Sequence, residues 1–310
     1  MTDVSEKRTE KDTARRMWRF FEPVHAVTYF THEARSAADG LGLQGFWAGY
    51  VAQRAAPLGA VGPAAATAAF FGFHHDRIDG ALPDAWRVTT PAAALQARLD
   101  GVDGALGRLW GDLLTSSDVR EAADLAWQAA TTVDCAGRVL AAANQTLPRP
   151  ATAHLALWQA TTTLRKHRGD GHVAVLVTRG ITPVQAHLLK AATGEADSEA
   201  LRKGRRFSVP EWQEGVEDMR AAGLLDADAQ ATPAGRSLHE QIEEATDGAA
   251  VQPWQALGET ATSRLASLLA PLADAVLDSG TLPMPNPVGL TLGPSADAAG
   301  GADQRGRRPV

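Results

Sequence analysis

Three short polar clusters that contain histidine interrupt otherwise apolar segments, and they are the best candidates for chemistry. In the first, His25 and Tyr29 share one face of a predicted helix, and Glu22 lies at or just before its start. Pro23 supports that start because proline is favoured in the first turn. A glutamate and a histidine three residues apart can bind a metal ion in helical bundles. We therefore predict Glu22 and His25 as metal ligands and Tyr29 as a pocket residue, although His25 could instead bond a backbone carbonyl in the core.

The second cluster, Phe73-His74-His75-Asp76, ends an apolar helix. Adjacent histidines point in different directions on a helix, so at most one of them can face a pocket with His25. We expect His74 as the third metal ligand and Phe73 as part of the ligand-binding wall. In the structural alternative the two imidazoles only terminate the helix, where a cation interacts favourably with the C-terminal dipole.

The third cluster is the run HRGDGH at residues 167–172. Its two glycines predict a tight turn after a helix, and such a turn would bring an imidazole, a guanidinium and a carboxylate together. The predicted roles are general base for His25 and His172, orientation of an imidazole for Asp170, and ligand binding for His167 and Arg168. In the structural alternative, Asp170 pairs with Arg168 or caps the next helix.

One further pair adds an aromatic and a cationic side chain to the predicted pocket. Tyr50 and Arg54 lie one helical turn apart in the segment GFWAGYVAQR. The guanidinium would hold an anionic group of a ligand, and the phenol would line its apolar part. The same pair could instead cap the edge of an aromatic core, and the sequence leaves both interpretations open.

Composition excludes several classes of protein. The 310 residues are 45% hydrophobic and 21% charged, which is enough for a buried core and, by length, for two domains. The net charge of −6 argues against a general coat for nucleic acids or membranes. Cys135, the single cysteine, is expected inside a helix and excludes multi-cysteine metal sites. A polar N-terminus and the lack of a run of about 18 apolar residues predict a cytoplasmic protein with no membrane partner.

Hydrophobic periodicity predicts a mainly α fold, with an N-terminal helical bundle, a winged helix-turn-helix domain and a long C-terminal helix. One long helix begins at the cap Thr90-Pro91, and a second is expected from Ser117 to Asn144. Short helices followed by a β-hairpin predict the winged helix. The predicted boundaries are 1–12 disordered, 13–148 helical bundle, 151–250 winged helix-turn-helix domain, 251–282 C-terminal helix and 283–310 disordered tail.

Two resemblances support this organisation. The segment GLLDADAQATPAGRSLHEQI resembles the wing and following helix of MarR-type regulators. Over about residues 14–290, the chain resembles a family of actinobacterial helix-turn-helix proteins through EPVHAVTYF, GFWAGYVAQRAAPLG, LPDAW, HLALWQATTTLRKHRGDGHVAVL and PWQALG. The resemblance implies a fold and a phylum and leaves the activity open.

The charge pattern argues against base reading by the predicted recognition helix, PEWQEGVEDMRAAG. This segment contains four carboxylates and one arginine, whereas a helix in the major groove faces phosphates. Residues 207–250 hold ten acidic and two basic residues, and residues 165–206 hold nine basic and four acidic ones. Four cations just before the recognition helix could contact a DNA backbone: Arg202, Lys203, Arg205 and Arg206.

Two functions and one structural role are consistent with these patterns. The leading prediction is a cytoplasmic protein that binds a small molecule, a metal ion or a haem-like chromophore between the bundle and a winged helix that does not read DNA. Catalysis at this site would make it an enzyme of specialised metabolism. The alternative is a MarR-type, ligand-responsive regulator that binds DNA as a homodimer. The third interpretation is a scaffold without a ligand. The leading prediction requires that His25, His74 and His172 meet in one cavity.

Overall fold

The structure, a computed structural model, describes residues 2–43, 45–283 and Asn286. The described chain is mainly helical, as the sequence predicted. Its helices are α1 (Thr2–Phe30), α2 (His32–Asp39), α3 (Phe46–Ala55), α4 (Pro63–Phe70), α5 (His75–Asp79), α6 (Asp84–Val88), α7 (Pro91–Trp110), α8 (Ser117–Thr131), α9 (Val139–Gln145), α10 (Ala153–Thr178), α11 (Pro183–Ala192), α12 (Ser198–Arg205), α13 (Val209–Ala221), α14 (Pro233–Gly248), α15 (Gln252–Leu257) and α16 (Glu259–Asp278).

Local capping signals set where several helices begin. The Thr90 hydroxyl accepts a hydrogen bond from a first-turn amide of α7, and Pro91 occupies the first turn. Ser208 and Glu211 form a capping box at the start of α13, in which each side chain accepts from the other residue's amide. An equivalent box at Thr182 begins α11. These starts follow from short-range chemistry alone.

Three clusters of buried apolar side chains form the interior. The first joins α1, α7, α8, α15 and α16 to the first half of α10 and includes Trp158. The second lies mainly within α3 to α6 and includes Ile78. The third joins the end of α10 to α11, α12, α13 and α14 and includes Met219. Helix α10 therefore runs from one interior to another, and its polar middle lies at their junction.

Two predicted boundaries differ from the structure. The first hydrophobic cluster includes residues on both sides of the predicted domain boundary between 148 and 151, so that boundary does not separate two interiors. Residues 2–12, for which the sequence predicted disorder, form the first turns of α1. Almost all of the predicted disordered tail, 283–310, lies outside the described residues.

The long helix predicted from 117 to 144 is instead two helices, α8 and α9. Between them, Gly137 adopts a positive φ of 71°, a left-handed conformation that glycine tolerates. The Asp134 carboxylate accepts a hydrogen bond from the Ala136 amide and stabilises the connection. Cys135, expected inside a helix, lies in this loop and is half-buried.

The tight turn predicted at 167–172 is wrong, because these residues continue the helix α10. Both glycines of the run lie where a side chain has no room. A Cβ atom on Gly169 would lie 2.5 Å from Nη1 of Arg165, and one on Gly171 would lie 2.7 Å from Nη1 of Arg138. The glycines thus admit arginine side chains instead of breaking the helix, so a helix-breaking signal was misleading here.

Helices α11, α12 and α13 follow one another as expected of a helix-turn-helix unit. In the described residues the predicted β-hairpin wing is reduced to one antiparallel bridge, between Leu225 and Ala231. A five-residue loop joins the two bridge residues, and the Asp226 carboxylate accepts a hydrogen bond from the Gln230 amide across it. The segment is too short to form a longer ladder.

Candidate functional site

A cavity of about 220 Å³ lies beside the middle of α10, at the junction of the three hydrophobic clusters. We call it the polar cavity. Side chains from α1, α3, α10, α11, α12 and α14 line it, together with the loop after α4. Seven cations and four carboxylates give it an excess of positive charge: Arg15, Arg54, Arg165, Lys166, Arg168, Lys190 and Arg205, and Glu22, Asp170, Glu195 and Glu243.

Two of the four carboxylates are paired within the cavity wall. Glu22 is fully buried and accepts hydrogen bonds from Nε1 of Trp18 at 2.9 Å and from Nε of Arg165 at 3.3 Å. Glu195 lies 2.6 Å from Nε2 of His239, and this contact raises the pKa of His239 although burial alone would lower it. Neither carboxylate is therefore without a partner.

A third carboxylate belongs to an ion-pair network between α1, α10 and α14. Arg168 donates to Asp247 at 2.7 Å and to Glu243 at 3.2 Å. Arg15 pairs with the same two carboxylates at 2.8 and 3.0 Å. The guanidinium of Arg168 also lies 5.0 Å above the ring of Trp18. The predicted ligand-binding Arg168 is therefore fully used in holding three helices together.

The fourth carboxylate, Asp170, acts as a helix cap. Its Oδ2 accepts hydrogen bonds from the backbone amides of Leu140 and Ala141, both at 2.9 Å, in the first turn of α9. This role corresponds to the structural alternative, except that the capped helix is α9 and not the helix that follows. The predicted role of Asp170 in orienting an imidazole has no counterpart among these contacts.

The cavity has a cation cluster, which we define as Arg54, Arg165, Lys166 and Arg205. Arg165 pairs with Glu22, but among the described residues no carboxylate forms an ion pair with the other three. Two of the guanidiniums instead face aromatic rings, Arg54 at 4.2 Å from the centre of Phe70 and Arg205 at 4.3 Å from the centre of Phe73. Their charge is therefore only partly compensated.

The phenol of Tyr50 joins two members of the cation cluster. Its hydroxyl accepts a hydrogen bond from Nη1 of Arg54 at 2.8 Å, and the guanidinium of Arg205 interacts with the phenol electrostatically. Burial alone would raise the pKa of Tyr50, but the two guanidiniums lower it below its ordinary value. Nε of Arg54 is buried and has no hydrogen-bond partner in the described part of the chain. The cluster therefore retains an unused donor.

A chain of hydrogen bonds runs from the cation cluster into the core. Nζ of Lys166 donates to the Tyr29 hydroxyl at 2.9 Å, and that hydroxyl lies 3.0 Å from Nε2 of His25. Nδ1 of His25 lies 2.9 Å from the Thr162 hydroxyl. Thr162 donates its single hydrogen to the carbonyl of Trp158, so it must accept from Nδ1–H of His25. Nε2 of His25 is consequently the acceptor, and Tyr29 donates to it.

Burial favours the neutral form of every member of this chain. Burial, with Lys166 and Arg165 nearby, lowers the pKa of His25 well below its ordinary value. Burial raises the pKa of Tyr29 to about 12. Burial, followed by repulsion from Arg54 and Arg165, lowers the pKa of Lys166 well below that of an ordinary lysine. A neutral amine, phenol and imidazole are thus connected in series.

A second cavity, of about 280 Å³, also borders the cation cluster. We call it the aromatic cavity because rings dominate its wall: Tyr29, Phe30, Phe46, Trp47 and Tyr50. The rings of Trp47 and Tyr50 pack edge to face with centres 5.5 Å apart. All four members of the cation cluster line both cavities.

The predicted site residues are only partly brought together. Glu22, Arg54, Phe73, Arg168, Asp170 and His172 line the polar cavity, and Tyr29, Tyr50 and Arg54 line the aromatic one. The three histidines expected to meet have separate partners. His25 bonds Thr162 and Tyr29, whereas Nδ1 of His172 bonds the Thr246 hydroxyl at 2.9 Å.

The predicted metal ligands Glu22, His25 and His74 are not assembled. His74 lies elsewhere, with Nε2 3.0 Å from Glu211, and its Nδ1 accepts from the Asp76 amide, so it caps the start of α5 and does not end a helix. Within the described ranges, the one group with ligand atoms close enough for a metal is His74, His75 and Asp76. That group is largely exposed and does not include Glu22 or His25.

His167 faces away from the polar cavity, contrary to its predicted ligand-binding role. Its ring is buried, its Nε2 has no hydrogen-bond partner within the described residues, and its carbonyl accepts from Nη1 of Arg138. Burial and the nearby Arg138 lower the pKa of His167 to about 4. This histidine therefore supports packing between α10 and its neighbours.

The four cations predicted to contact DNA are mostly engaged within the protein. Arg202 and Lys203 pair with Glu199 at 2.8 and 3.1 Å. Arg206 donates to a backbone carbonyl of α5 at 2.8 Å. Arg205 belongs to the cation cluster. The outer face of α13 consists of Gln213, Glu214, Glu217 and Asp218, all exposed, so its surface charge is negative.

A family model described as a helix-turn-helix family matches residues 14–283. The chain belongs to the helix-turn-helix family. The match begins in α1 and ends beyond α16, so the family model covers the helices before α11 to α13 as well as those three. No curated protein and no solved structure matches the chain. In the part of the chain that the structure describes, no helix is both long enough and apolar enough to cross a bilayer.

Sequence reasoning missed Arg165 and Lys166, which are central to the site of this helix-turn-helix protein. A signal was present, because Lys166 lies four residues after Thr162 and eight after Trp158, on the same face of one helix. The predicted break after His167 concealed this face by ending the helix too early. A cation on an otherwise apolar face is a candidate functional residue.

Proposed function

We propose that this protein binds a small anionic molecule in the polar cavity, with the anion held by the guanidiniums of Arg54 and Arg205 and by a hydrogen bond from the Lys166 amine. The observation that carries the proposal is the cation cluster, in which these three cations have no carboxylate partner among the described residues. The residues belong to α3, α10 and α12. Bound ligand would therefore connect the N-terminal bundle to the helix-turn-helix unit.

Electrostatics favours an anion over a neutral ligand. Buried charges are costly unless they are paired, and the partial compensation by Phe70 and Phe73 is weaker than an ion pair. A carboxylate or phosphate would accept the unused hydrogen bond from Nε of Arg54. The volume of about 220 Å³ is suited to a small molecule. Drug-sized ligands need roughly 300–1,000 Å³.

Calorimetric titration of the full chain tests this function with 2-oxobutanoate, benzoate and inorganic phosphate, each compared with an uncharged amide such as benzamide. At least one acid should bind about tenfold more tightly than the amides. Arg205→Gln should weaken that binding by about tenfold or more. Arg202→Gln is the matched control, because Arg202 lies on the same helix and pairs with Glu199. Equal binding of acids and amides, or none, would contradict the proposal.

A second candidate function is ligand-responsive DNA binding, which family membership favours. In this form the protein would be a cytoplasmic homodimer of MarR type, and the anion would act as its effector. The negative outer face of α13 opposes base reading by that helix. Lys203 is an exposed member of the four predicted backbone contacts, with 68% of its side chain accessible.

Gel-shift titration at low salt, with DNA from upstream of the coding sequence and with a scrambled duplex, tests the second candidate. Sequence-preferring binding that weakens steeply with salt would support it. Lys203→Glu should reduce such binding, and half-buried Lys11 in α1 supplies the control Lys11→Glu. No shift at low salt would exclude DNA binding and leave the anion site unaffected.

A further inference from the structure

The amine of Lys166 is placed among groups that suit covalent chemistry. Its side chain is 3% exposed, yet it lines both the polar and the aromatic cavity. Nζ donates to the Tyr29 hydroxyl at 2.9 Å, and the Tyr29 hydroxyl donates to Nε2 of His25. An amine thus lies in a water-poor site beside a directed hydrogen-bond chain.

The surroundings of Lys166 favour the neutral, nucleophilic amine. The charged and titratable groups that face it come from α1, α3, α7, α10 and α12, namely Glu22, His25, Tyr29, Tyr50, Arg54, Arg98, Arg165, Asp170 and Arg205. Burial and the neighbouring guanidiniums lower the pKa of Lys166, whereas Glu22 acts in the opposite direction. A lysine that is desolvated and close to other cations is activated as a nucleophile.

We infer that Lys166 condenses with the carbonyl carbon of a small 2-oxo acid to form an imine. This inference rests on the proposed anion site, because the carboxylate of the acid would be held by Arg54 and Arg205. The reactive carbonyl of a 2-oxo acid is adjacent to its carboxylate, and Lys166 is adjacent in space to both guanidiniums, which line the same two cavities. Binding of the carboxylate by the two guanidiniums would therefore place the carbonyl carbon close to the Lys166 amine.

The condensation balances without an external oxidant or reductant. The lone pair of Nζ attacks the carbonyl carbon, and the carbonyl oxygen takes up a proton to give a carbinolamine. The nitrogen then loses a proton, a second proton reaches the hydroxyl so that it leaves as water when the C=N bond forms, and the resulting iminium nitrogen releases its remaining proton to give the imine. The Tyr29 hydroxyl is hydrogen-bonded to Nζ and can donate or accept a proton there, and His25 can take or return the phenolic proton through Nε2. Tyr29 is thus a proton carrier for both steps.

Reductive trapping tests the inference directly. The full chain is incubated at pH 7 with 2-oxobutanoate and sodium cyanoborohydride, then analysed by intact mass and peptide mapping. We expect one addition per chain, equal in mass to 2-oxobutanoic acid less one oxygen atom, on Lys166. The sequence contains four other lysines, Lys7, Lys11, Lys190 and Lys203, as internal references. Modification of Lys166 should be at least tenfold faster than that of the others. No addition, or addition mainly elsewhere, would overturn the inference.

Variants separate nucleophilic attack from anion binding. Lys166→Arg keeps a hydrogen-bond donor at this position but cannot form an imine, so trapping should disappear while calorimetric binding of 2-oxobutanoate is retained. Lys190→Arg changes the other lysine of the same cavity and should leave trapping at Lys166 intact. Tyr29→Phe should slow trapping about tenfold or more without abolishing binding. Equal trapping in Lys166→Arg would contradict the assignment.

A neutral probe distinguishes failure of the inference from failure of the proposed function. Butanal carries the carbonyl without the carboxylate. If butanal labels Lys166 selectively but 2-oxobutanoate neither binds nor labels, the anion site is wrong and with it the 2-oxo acid assignment. If 2-oxobutanoate binds but neither probe labels Lys166, the imine inference fails and the anion site stands.

Discussion

Asp170 caps another helix: its Oδ2 lies 2.9 Å from the amide nitrogen of Leu140, so a carboxylate in the middle of α10 satisfies the first turn of α9. The residue before α9, Arg138, provides no side-chain cap of its own. Helix starts leave several amides without intrahelical partners, and an acceptor from another element is therefore valuable. The tertiary contact replaces the local signal that sequence reasoning looks for.

Asp170→Ala should lower the free energy of unfolding by about 0.5–2 kcal/mol, the range measured for lost helix caps. Asp170→Asn should lose less, because the amide oxygen still accepts a hydrogen bond. Urea denaturation at pH 7 measures both. Asp274→Ala, at an exposed acid of α16, is the control and should change stability little. A loss for Asp170→Ala no larger than that of the control would exclude the capping role.

Two glycine-to-alanine changes should shift the stability of the protein in opposite directions. At Gly171 a Cβ atom would lie 2.7 Å from Nη1 of Arg138 and 3.1 Å from Cβ of Ala249, so alanine forces displacement and destabilises. At Gly107, within α7, no atom lies within 4 Å of the added carbon. Alanine there should stabilise by about 0.5–1 kcal/mol. Thermal midpoints measured side by side test the pair, and stabilisation by both changes would show that α10 tolerates a side chain at 171.

Predictions based on short-range chemistry agree best with the structure. The caps at Thr90 and Ser208 follow from side chains within three residues of the amides that they bind. The contact between Tyr50 and Arg54 likewise follows from helical spacing, and its 2.8 Å hydrogen bond is observed. Membership of a helix-turn-helix family and a mainly helical fold were also predictable from periodicity and motif resemblance.

Features that depend on contacts between residues far apart in the sequence could not be predicted from local patterns. Gly169 and Gly171 remain helical because arginine side chains occupy the space above them, and one of these arginines, Arg138, is far away along the chain. The inward orientation of Arg205 likewise depends on Tyr50 and Phe73, which belong to a different hydrophobic cluster. Local pattern alone assigned that arginine to the surface, where a DNA backbone could meet it.

The ion-pair network at α14 should be far more important for stability than a surface pair. Asp247→Asn removes the carboxylate that pairs with Arg168 at 2.7 Å and with Arg15 at 2.8 Å, while Arg168 stays buried. Breaking a buried pair in this way costs about 3–5 kcal/mol. Glu244→Gln is the control, because its side chain is 66% exposed and pairs with Lys11. That change should alter stability little, because solvent-exposed ion pairs contribute little. Similar losses for both variants in urea denaturation would argue against the network.

The protein should lose stability as the pH falls from about 6.5 towards 4, before most carboxylates titrate. Burial lowers the pKa of His167 and His172 to about 4 and that of His187 to about 3. These imidazoles are neutral in the folded state but become protonated in the unfolded chain below about pH 6.5. Their contribution to the stability of the folded state is therefore complete above that pH and declines below it. His239 has a raised pKa beside Glu195 and acts in the opposite direction, but it is a single group.

Urea midpoints at intervals between pH 7.5 and 4.5 measure this dependence. His187→Gln should flatten the plot of unfolding free energy against pH. The number of protons taken up on unfolding should fall by up to about one, because His187 no longer contributes to it. Its amide can still donate to the carbonyl of Gly72, which Nε2 of His187 contacts at 2.6 Å. His75→Asn, at a side chain that is 64% exposed, is the control and should keep the slope of the unchanged protein. A flat profile in the unchanged protein would mean that the buried imidazoles titrate alike in both states.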